Sequence, residues 1–200
     1  MSRTGCHSSP RRTIRYDLSL SEGGSESGTV HVFDVATGKE SGPADIIPRV
    51  NGGTAGGSVS WNGDGSGFYY TRYPRGTERA PEDLDFYQQV YFHKLGTNDS
   101  EDTYSIGKDF PRIAEINLQA SYDGKYIVAT VANGDGGDFA HYLLGPEGNW
   151  KQLTQFSDQI KSARIGRDNA LYLLSRADAP RGKILRVSLD APELAKAALN

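Results

Sequence analysis

The apolar and polar positions of this chain fall into a recurring phrase: a polar turn of Asp-Gly type, a strand rich in aromatic and β-branched residues, a variable insertion, and a second strand closing on an Asp, Lys or Ser followed by an apolar residue. Around Asp64 the phrase reads Ser-Val-Ser-Trp-Asn-Gly-Asp-Gly-Ser-Gly-Phe-Tyr-Tyr, and around Asp123 it reads Leu-Gln-Ala-Ser-Tyr-Asp-Gly-Lys-Tyr-Ile-Val-Ala-Thr. Around Asp168 it returns as Ser-Ala-Arg-Ile-Gly-Arg-Asp-Asn-Ala-Leu-Tyr-Leu-Leu. The copies are separated by 59 residues from Asp64 to Asp123 and by 45 from Asp123 to Asp168. A weaker copy, Ser9 to Leu20, fits the frame with Arg11 and Arg12 standing where Asp-Gly is expected. Units of this length, each with four strands' worth of chain, have the spacing of β-propeller blades. The 200 residues hold about four such units and rings of this kind usually need roughly four to eight, so a full ring of four is possible but tight.

Each unit carries its own insertion. Ser21 to Gly28 is a polar loop before a strand from Thr29 to Val35, and Ala36-Thr-Gly-Lys-Glu then turns. Gly52 to Gly57 leads into the next unit. The longest insertion, Tyr73 to Phe86, holds two prolines and the acids Glu82, Asp83 and Asp85, a composition that predicts a mobile surface loop. Partner strands are expected over Gln89 to Leu95, Asp138 to Leu144 and Lys183 to Leu189, with Asp34, Lys94 and Ser188 at matching places. Tyr126 to Val131 and Ala170 to Leu174 are apolar nearly throughout, which suits strands covered on both faces. Pro192 to Leu199 has helix-forming residues.

Composition agrees with an all-β class: 24 glycines and 11 tyrosines against a single methionine suit short strands joined by tight turns. Lys plus Arg total 22 against 25 Asp plus Glu, so no broad basic field exists for nucleic acid. Cys6 is the only cysteine, which excludes an intrachain disulfide and a cysteine-based zinc site. No stretch approaches the ~18 apolar residues of a membrane-spanning helix, so no membrane partner is expected. The N-terminal residues lack the apolar core of a secretion signal and are read as an unprocessed start or a truncated end. A cytoplasmic location is the expectation, with a periplasmic one left open.

The chain carries no strong catalytic signature. No serine has the flanking glycines of a Gly-x-Ser-x-Gly elbow; Ser25, Ser58 and Ser66 each fail on one side or both. The four histidines, His7, His31, His93 and His141, could in principle supply a base, but histidines scattered one per repeat are ordinarily strand residues with a satisfied hydrogen bond, and His31 and His141 occupy equivalent places on separate blades. Asn62-Gly-Asp-Gly-Ser-Gly has Tyr73 where a calcium loop needs a bidentate glutamate, so it reads as a turn and no metal is expected. Gly52-Gly-Thr-Ala-Gly-Gly is followed by neither Lys-Ser/Thr nor a helix, and no cofactor is expected. Asp135, Asp138, Glu115 and the Glu82/Asp83/Asp85 group are the carboxylates to weigh for a glycosidase-like pair; all but Glu115 lie in loop-like sequence, where solvated acids are usual. Asn98-Asp-Ser matches a glycosylation acceptor, unaccompanied by an export signal.

Four phrases, in order, resemble one family. Ser19-Leu-Ser-Glu-Gly-Gly-Ser, Trp61-Asn-Gly-Asp-Gly-Ser-Gly-Phe-Tyr-Tyr-Thr-Arg-Tyr-Pro, Val90-Tyr-Phe-His-Lys-Leu-Gly-Thr with Ser100-Glu-Asp, and Arg176-Ala-Asp-Ala-Pro-Arg-Gly-Lys-Ile-Leu-Arg-Val are similar to the propeller of prolyl oligopeptidases, from about Leu18 to Leu194. The resemblance implies a seven-bladed propeller over an α/β-hydrolase domain whose Ser-Asp-His triad cleaves short peptides after proline. It places this chain at about the second to fifth blades. Residues 18–200 are then a partial β-propeller and residues 1–17 a divergent segment compatible with part of a first blade, with no counterpart of the hydrolase domain or its triad.

The resemblance further implies that the propeller walls the cavity and screens substrates, that its partners are short proline-containing peptides and a hydrolase domain, and that no residue of this chain is catalytic. It also points to Tyr69, with Phe68 behind it, as an aromatic wall of the proline pocket. The competing reading of both rings is blade packing, the usual role of large strand aromatics. The Tyr73 to Phe86 insertion resembles a gating loop near the hydrolase interface. The alternative for the whole chain is a non-catalytic propeller that binds a protein or peptide.

Overall fold

The computed structural model describes residues 15–20, 27–51 and 56–199. They form four antiparallel sheets, and within each sheet every strand pairs with its neighbour in sequence. The first sheet has three described strands, β1 (Arg15–Leu20), β2 (Gly28–Asp34) and β3 (Ile46–Asn51). The second has β4 (Val59–Trp61), β5 (Gly67–Arg72), β6 (Gln89–Lys94) and β7 (Thr103–Ile106). In the third run β8 (Ala114–Ala120), β9 (Ile127–Asn133), β10 (Phe139–Leu144) and β11 (Trp150–Thr154). The fourth holds β12 (Ile160–Ile165), β13 (Ala170–Ser175), β14 (Lys183–Ser188) and the two-residue β15 (Ala198–Leu199).

The repeated Asp turn is the device that starts each of the last three blades. It joins β4 to β5, β8 to β9 and β12 to β13, and the residue after the aspartate is left-handed each time: Gly65 at φ 70°, Gly124 at 69° and Asn169 at 58°. Glycine takes that conformation freely and asparagine is the side chain that tolerates it best, which is why Asp-Gly and Asp-Asn are interchangeable here. The carboxylates then tie the loop: Asp64 accepts from the Ser66 amide at 2.9 Å, and Asp123 accepts from the Ser121 hydroxyl at 2.7 Å and the Lys125 amide at 3.2 Å. Asp168 instead reaches along its sheet to the Tyr172 hydroxyl and Arg186. The Arg11-Arg12 stand-in lies outside the described residues, but β1 falls where the frame puts the strand after the turn.

The partner strands end as the register predicts, β2 on Asp34, β6 on Lys94 and β14 on Ser188. His31 and His141 lie in β2 and β10, on separate sheets. Residues 192–199 form one 3-10 turn, Leu194–Lys196, followed by β15.

The chain divides into two compact units at Ile116/Asn117. In the first, Val30, Val32, Ile47 and Val50 of the first sheet pack with Trp61, Phe68 and Tyr70 of the second. In the second unit an aliphatic core joins Val128 and Leu143 to Ile160, Ala163, Leu171, Leu173, Val187 and Leu189. Burial of these side chains from both flanking sheets is what holds neighbouring blades together.

Candidate functional site

The site indicated by sequence lies on β5, and strand alternation decides what its aromatics do. Phe68 is fully buried and packs edge-on against Trp61, with ring centroids 5.2 Å apart, and against the His93 ring at 5.0 Å. Trp61 is held by its indole N–H, which donates to Asp17 at 3.0 Å. Tyr69 points to the opposite face, half-buried beside Phe92 at 4.9 Å. The two residues are thus neighbours in sequence on opposite sides of one sheet. Gly67 allows the arrangement: a Cβ there would stand 2.2 Å from the His93 carbonyl oxygen and 2.6 Å from the Phe92 ring.

Behind Phe68 lies a buried polar chain that the sequence did not announce. His93 has no exposed surface, and each ring nitrogen faces a carboxylate: Nδ1 lies 2.8 Å from Asp102 Oδ1 and Nε2 lies 3.2 Å from Asp45 Oδ1. Asp102 also accepts from the Tyr70 hydroxyl at 2.7 Å, and Asp45 accepts from the Gly96 amide at 2.6 Å. Burial opposes charge on the ring, but hydrogen bonds and attraction from Asp102 and then Asp45 outweigh it and hold the imidazole pKa above its ordinary value. Burial, reinforced by Asp102, pushes the Tyr70 phenol up so that it stays neutral.

The insertion from Tyr73 to Phe86 is fastened by arginines from four directions. Arg72, at the end of β5, makes a two-pronged bond to Glu78 at 2.8 and 3.0 Å while its guanidinium lies 3.8 Å from the centre of the Tyr91 ring. Planar pairing of this kind fixes direction as well as charge. Arg75 of the insertion reaches out to Asp99 at 2.6 Å and to the Pro48 carbonyl at 3.0 Å. Arg49 of β3 binds Asp85 at 2.7 Å, and Arg112, before β8, binds Asp83 at 2.8 Å while stacking on Phe86 at 3.5 Å. Two of the three acids of the sequence cluster are therefore engaged by arginine, and Tyr73 itself is buried. Gln88, fully buried just past the insertion, ties the Gly56 carbonyl at 2.9 Å to the Ile116 amide at 2.8 Å.

The other candidates are structural in their surroundings. Asp138 is 3.4 Å from Lys161, which also donates to the Gly137 carbonyl. His31 contacts Glu40. His141 is fully buried, with Thr154 Oγ1 2.7 Å from its Nδ1, and burial followed by the nearby charge of Arg164 pushes its pKa down to about 4. Among the described residues no group of three or more His, Cys, Asp or Glu side chains is arranged to hold a metal ion. A shallow cleft of about 430 Å³ between Gln152–Gln155 and Leu194–Ala195 offers one carboxylate, Asp158, already bonded to the Gln155 amide.

Consecutive antiparallel meanders, one of three described strands and three of four, the last three sharing the same turn between their first and second strands, define a partial β-propeller. The family model of the prolyl oligopeptidase N-terminal beta-propeller domain matches residues 12–198. The prolyl endopeptidase of Elizabethkingia meningoseptica is 30% identical over 179 residues, 88% of this chain and 24% of that protein. Prolyl oligopeptidase A of Amanita bisporigera is 26% identical over 150 residues, 68% of this chain and 20% of its own length. Two solved structures share the fold: a prolyl endopeptidase studied for inter-domain dynamics in catalysis and specificity has TM-score 0.76 at 22% identity over 92% of this chain and 26% of that one. Prolyl oligopeptidase B from Galerina marginata has TM-score 0.69 at 18% identity over 98% and 28%. The chain belongs to the prolyl oligopeptidase family, in its N-terminal propeller domain, and spans roughly a quarter of the length of the relatives it matches.

Proposed function

We infer that this chain is the cavity-wall and substrate-screening portion of a prolyl oligopeptidase-like serine endopeptidase that cleaves short peptides after proline. The observation that carries the reading is the family match across residues 12–198, joined to antiparallel sheets whose strands pair in sequence order. Bond cleavage belongs to the hydrolase domain of the family rather than to the propeller, and no residue among these 200 attacks the peptide. The partners are that domain and short proline-containing peptides. Nucleic acid is not among them, in keeping with a formal charge of −3, nor is a membrane; the location we propose is the cytoplasm, with the periplasm left open.

Tyr69 supplies an aromatic wall to the peptide from the face of β5 shared with Phe92, and Phe68 supports it from the core side of the same strand. The test is hydrolysis of a chromogenic prolyl peptide. The chain alone gives none, and the chain combined with the hydrolase domain of a relative gives turnover whose KM rises in Tyr69→Ala. Turnover by the chain alone, abolished by a serine-directed inhibitor, overturns the assignment of catalysis to another domain. An unchanged KM in Tyr69→Ala overturns the contact.

A further inference from the structure

We propose that His93 is a protonation-dependent latch between the first and second blades, closed by an imidazolium that both Asp45 and Asp102 require and released at alkaline pH. Both ring nitrogens face a carboxylate oxygen, at 2.8 Å from Asp102 and 3.2 Å from Asp45. A neutral imidazole has one N–H, so only the protonated ring can donate to both. With the proton gone, a nitrogen lone pair is left against a carboxylate in a site that excludes water; the side chains of His93, Asp45 and Asp102 are 0%, 8% and 2% exposed.

The two carboxylates are not equally anchored. Asp102, in the turn before β7, keeps the shorter imidazole bond and the Tyr70 hydroxyl. Among the described residues Asp45 keeps only the Gly96 amide at 2.6 Å besides the longer imidazole bond. The remaining proton therefore stays on Nδ1 and the Nε2–Asp45 contact is the one that opens. Asp45 ends the 3-10 turn Pro43–Asp45 that leads directly into β3, so its release loosens the edge strand of the first blade where it packs beside β5.

The other charges around the site do not substitute for this proton. Tyr70 is held neutral, Arg72 is committed to Glu78, and Arg75 to Asp99. The rest of the lining, Phe68 and the Gly96 backbone, does not titrate. The ring pKa, held above its ordinary value by the two aspartates against the effect of burial, agrees in direction. The sign follows: the latch is fully closed below the ordinary histidine pKa and is lost as pH rises through the higher folded value.

The test is amide hydrogen exchange of the full chain between pH 6 and pH 9, corrected for intrinsic rates. The Gly96 amide and those of Ile46 and Ile47 should lose protection by about tenfold per pH unit above the histidine's titration point. Leu171 and Leu173 in the other unit should not change. His93→Gln should abolish the dependence, and Asp45→Asn, which removes one charge yet retains an acceptor for Gly96, should move it to lower pH. Constant Gly96 protection up to pH 9 overturns the latch, as does an unshifted midpoint in Asp45→Asn. The Asn variant decides the matter where the Gln variant does not fold.

Discussion

Acidification should weaken the second unit through His141, by an amount the structure permits working out. The ring is completely buried in β10 beside Thr154, whose hydroxyl oxygen accepts the His141 amide at 3.0 Å and lies 2.7 Å from Nδ1. The threonine proton is thus best placed on Nδ1, which makes Nδ1 an acceptor and puts the ring hydrogen on Nε2, where no partner among the described residues meets it. Protonating Nδ1 turns that acceptor into a donor and adds a charge near Arg164. The folded pKa of about 4, against 6.5 for an ordinary histidine, means that the unfolded chain takes up the proton first.

This contribution is fully present above pH 6.5, declines as pH falls, and is exhausted once pH passes below the folded value near 4. Its limit is about 3 kcal/mol, and about 2 kcal/mol of it is lost between pH 7 and pH 5. That window lies above the range of Asp64, Asp123 and Asp168, whose pKa values are lowered by their turn and sheet hydrogen bonds. Urea unfolding followed by tryptophan fluorescence, to which Trp61 of the first unit and Trp150, which faces Leu144 across β10 and β11, both contribute, reads the loss when the native chain and His141→Gln are compared at each pH. The native chain should lose stability between pH 7 and pH 5, and His141→Gln should lose far less. Equal losses in the two proteins refute the reasoning.

Two further outcomes follow from close packing and buried charge. Gly67→Ala should cost about 2–3 kcal/mol, since the new methyl meets the His93 carbonyl rather than a yielding side-chain tip; Gly136→Ala, with nothing within 4 Å of its Cβ, should stay near neutral in the same denaturant titration. Arg72→Lys should cost about 1–3 kcal/mol by removing the paired bonds to Glu78 and the stacking on Tyr91. It should also speed tryptic cleavage after Arg75 and Arg79, and an unchanged digestion rate would count against the clamp.

What could be read from the chain was chemistry carried by adjacent residues. An Asp followed by a residue that accepts positive φ is a local instruction, so the turns at Asp64, Asp123 and Asp168 and the strands beside them were legible. The latch was not, because Asp45 lies 48 residues from His93 and sits in an unremarkable Ala-Asp-Ile context; only the pairing of sheets brings them together. His93 was legible as a strand histidine with satisfied nitrogens, while the identity of its partners was not. The insertion shows the same division. Its proline and acid content marks a surface segment, yet composition is silent on Arg49, Arg72 and Arg112, which arrive from other elements to hold it. Phe68 and Tyr69 are the case where a period-2 count alone separates two adjacent aromatics onto opposite faces.

The two units differ in what they bury, and the difference predicts how each responds to solvent. The second has an aliphatic core, whose stability depends weakly on pH and salt apart from His141. The first places Tyr70, Arg72, His93, Asp45 and Asp102 beside its apolar residues, so part of its cohesion is charge pairing in a dry setting. Such pairs give little net stability over apolar replacements but penalise any arrangement that leaves one partner behind. Aliphatic packing tolerates small slippage between sheets; a ring that must meet two carboxylates at once does not. The same network that fixes the register of the first blade against the second therefore makes that register depend on a single proton.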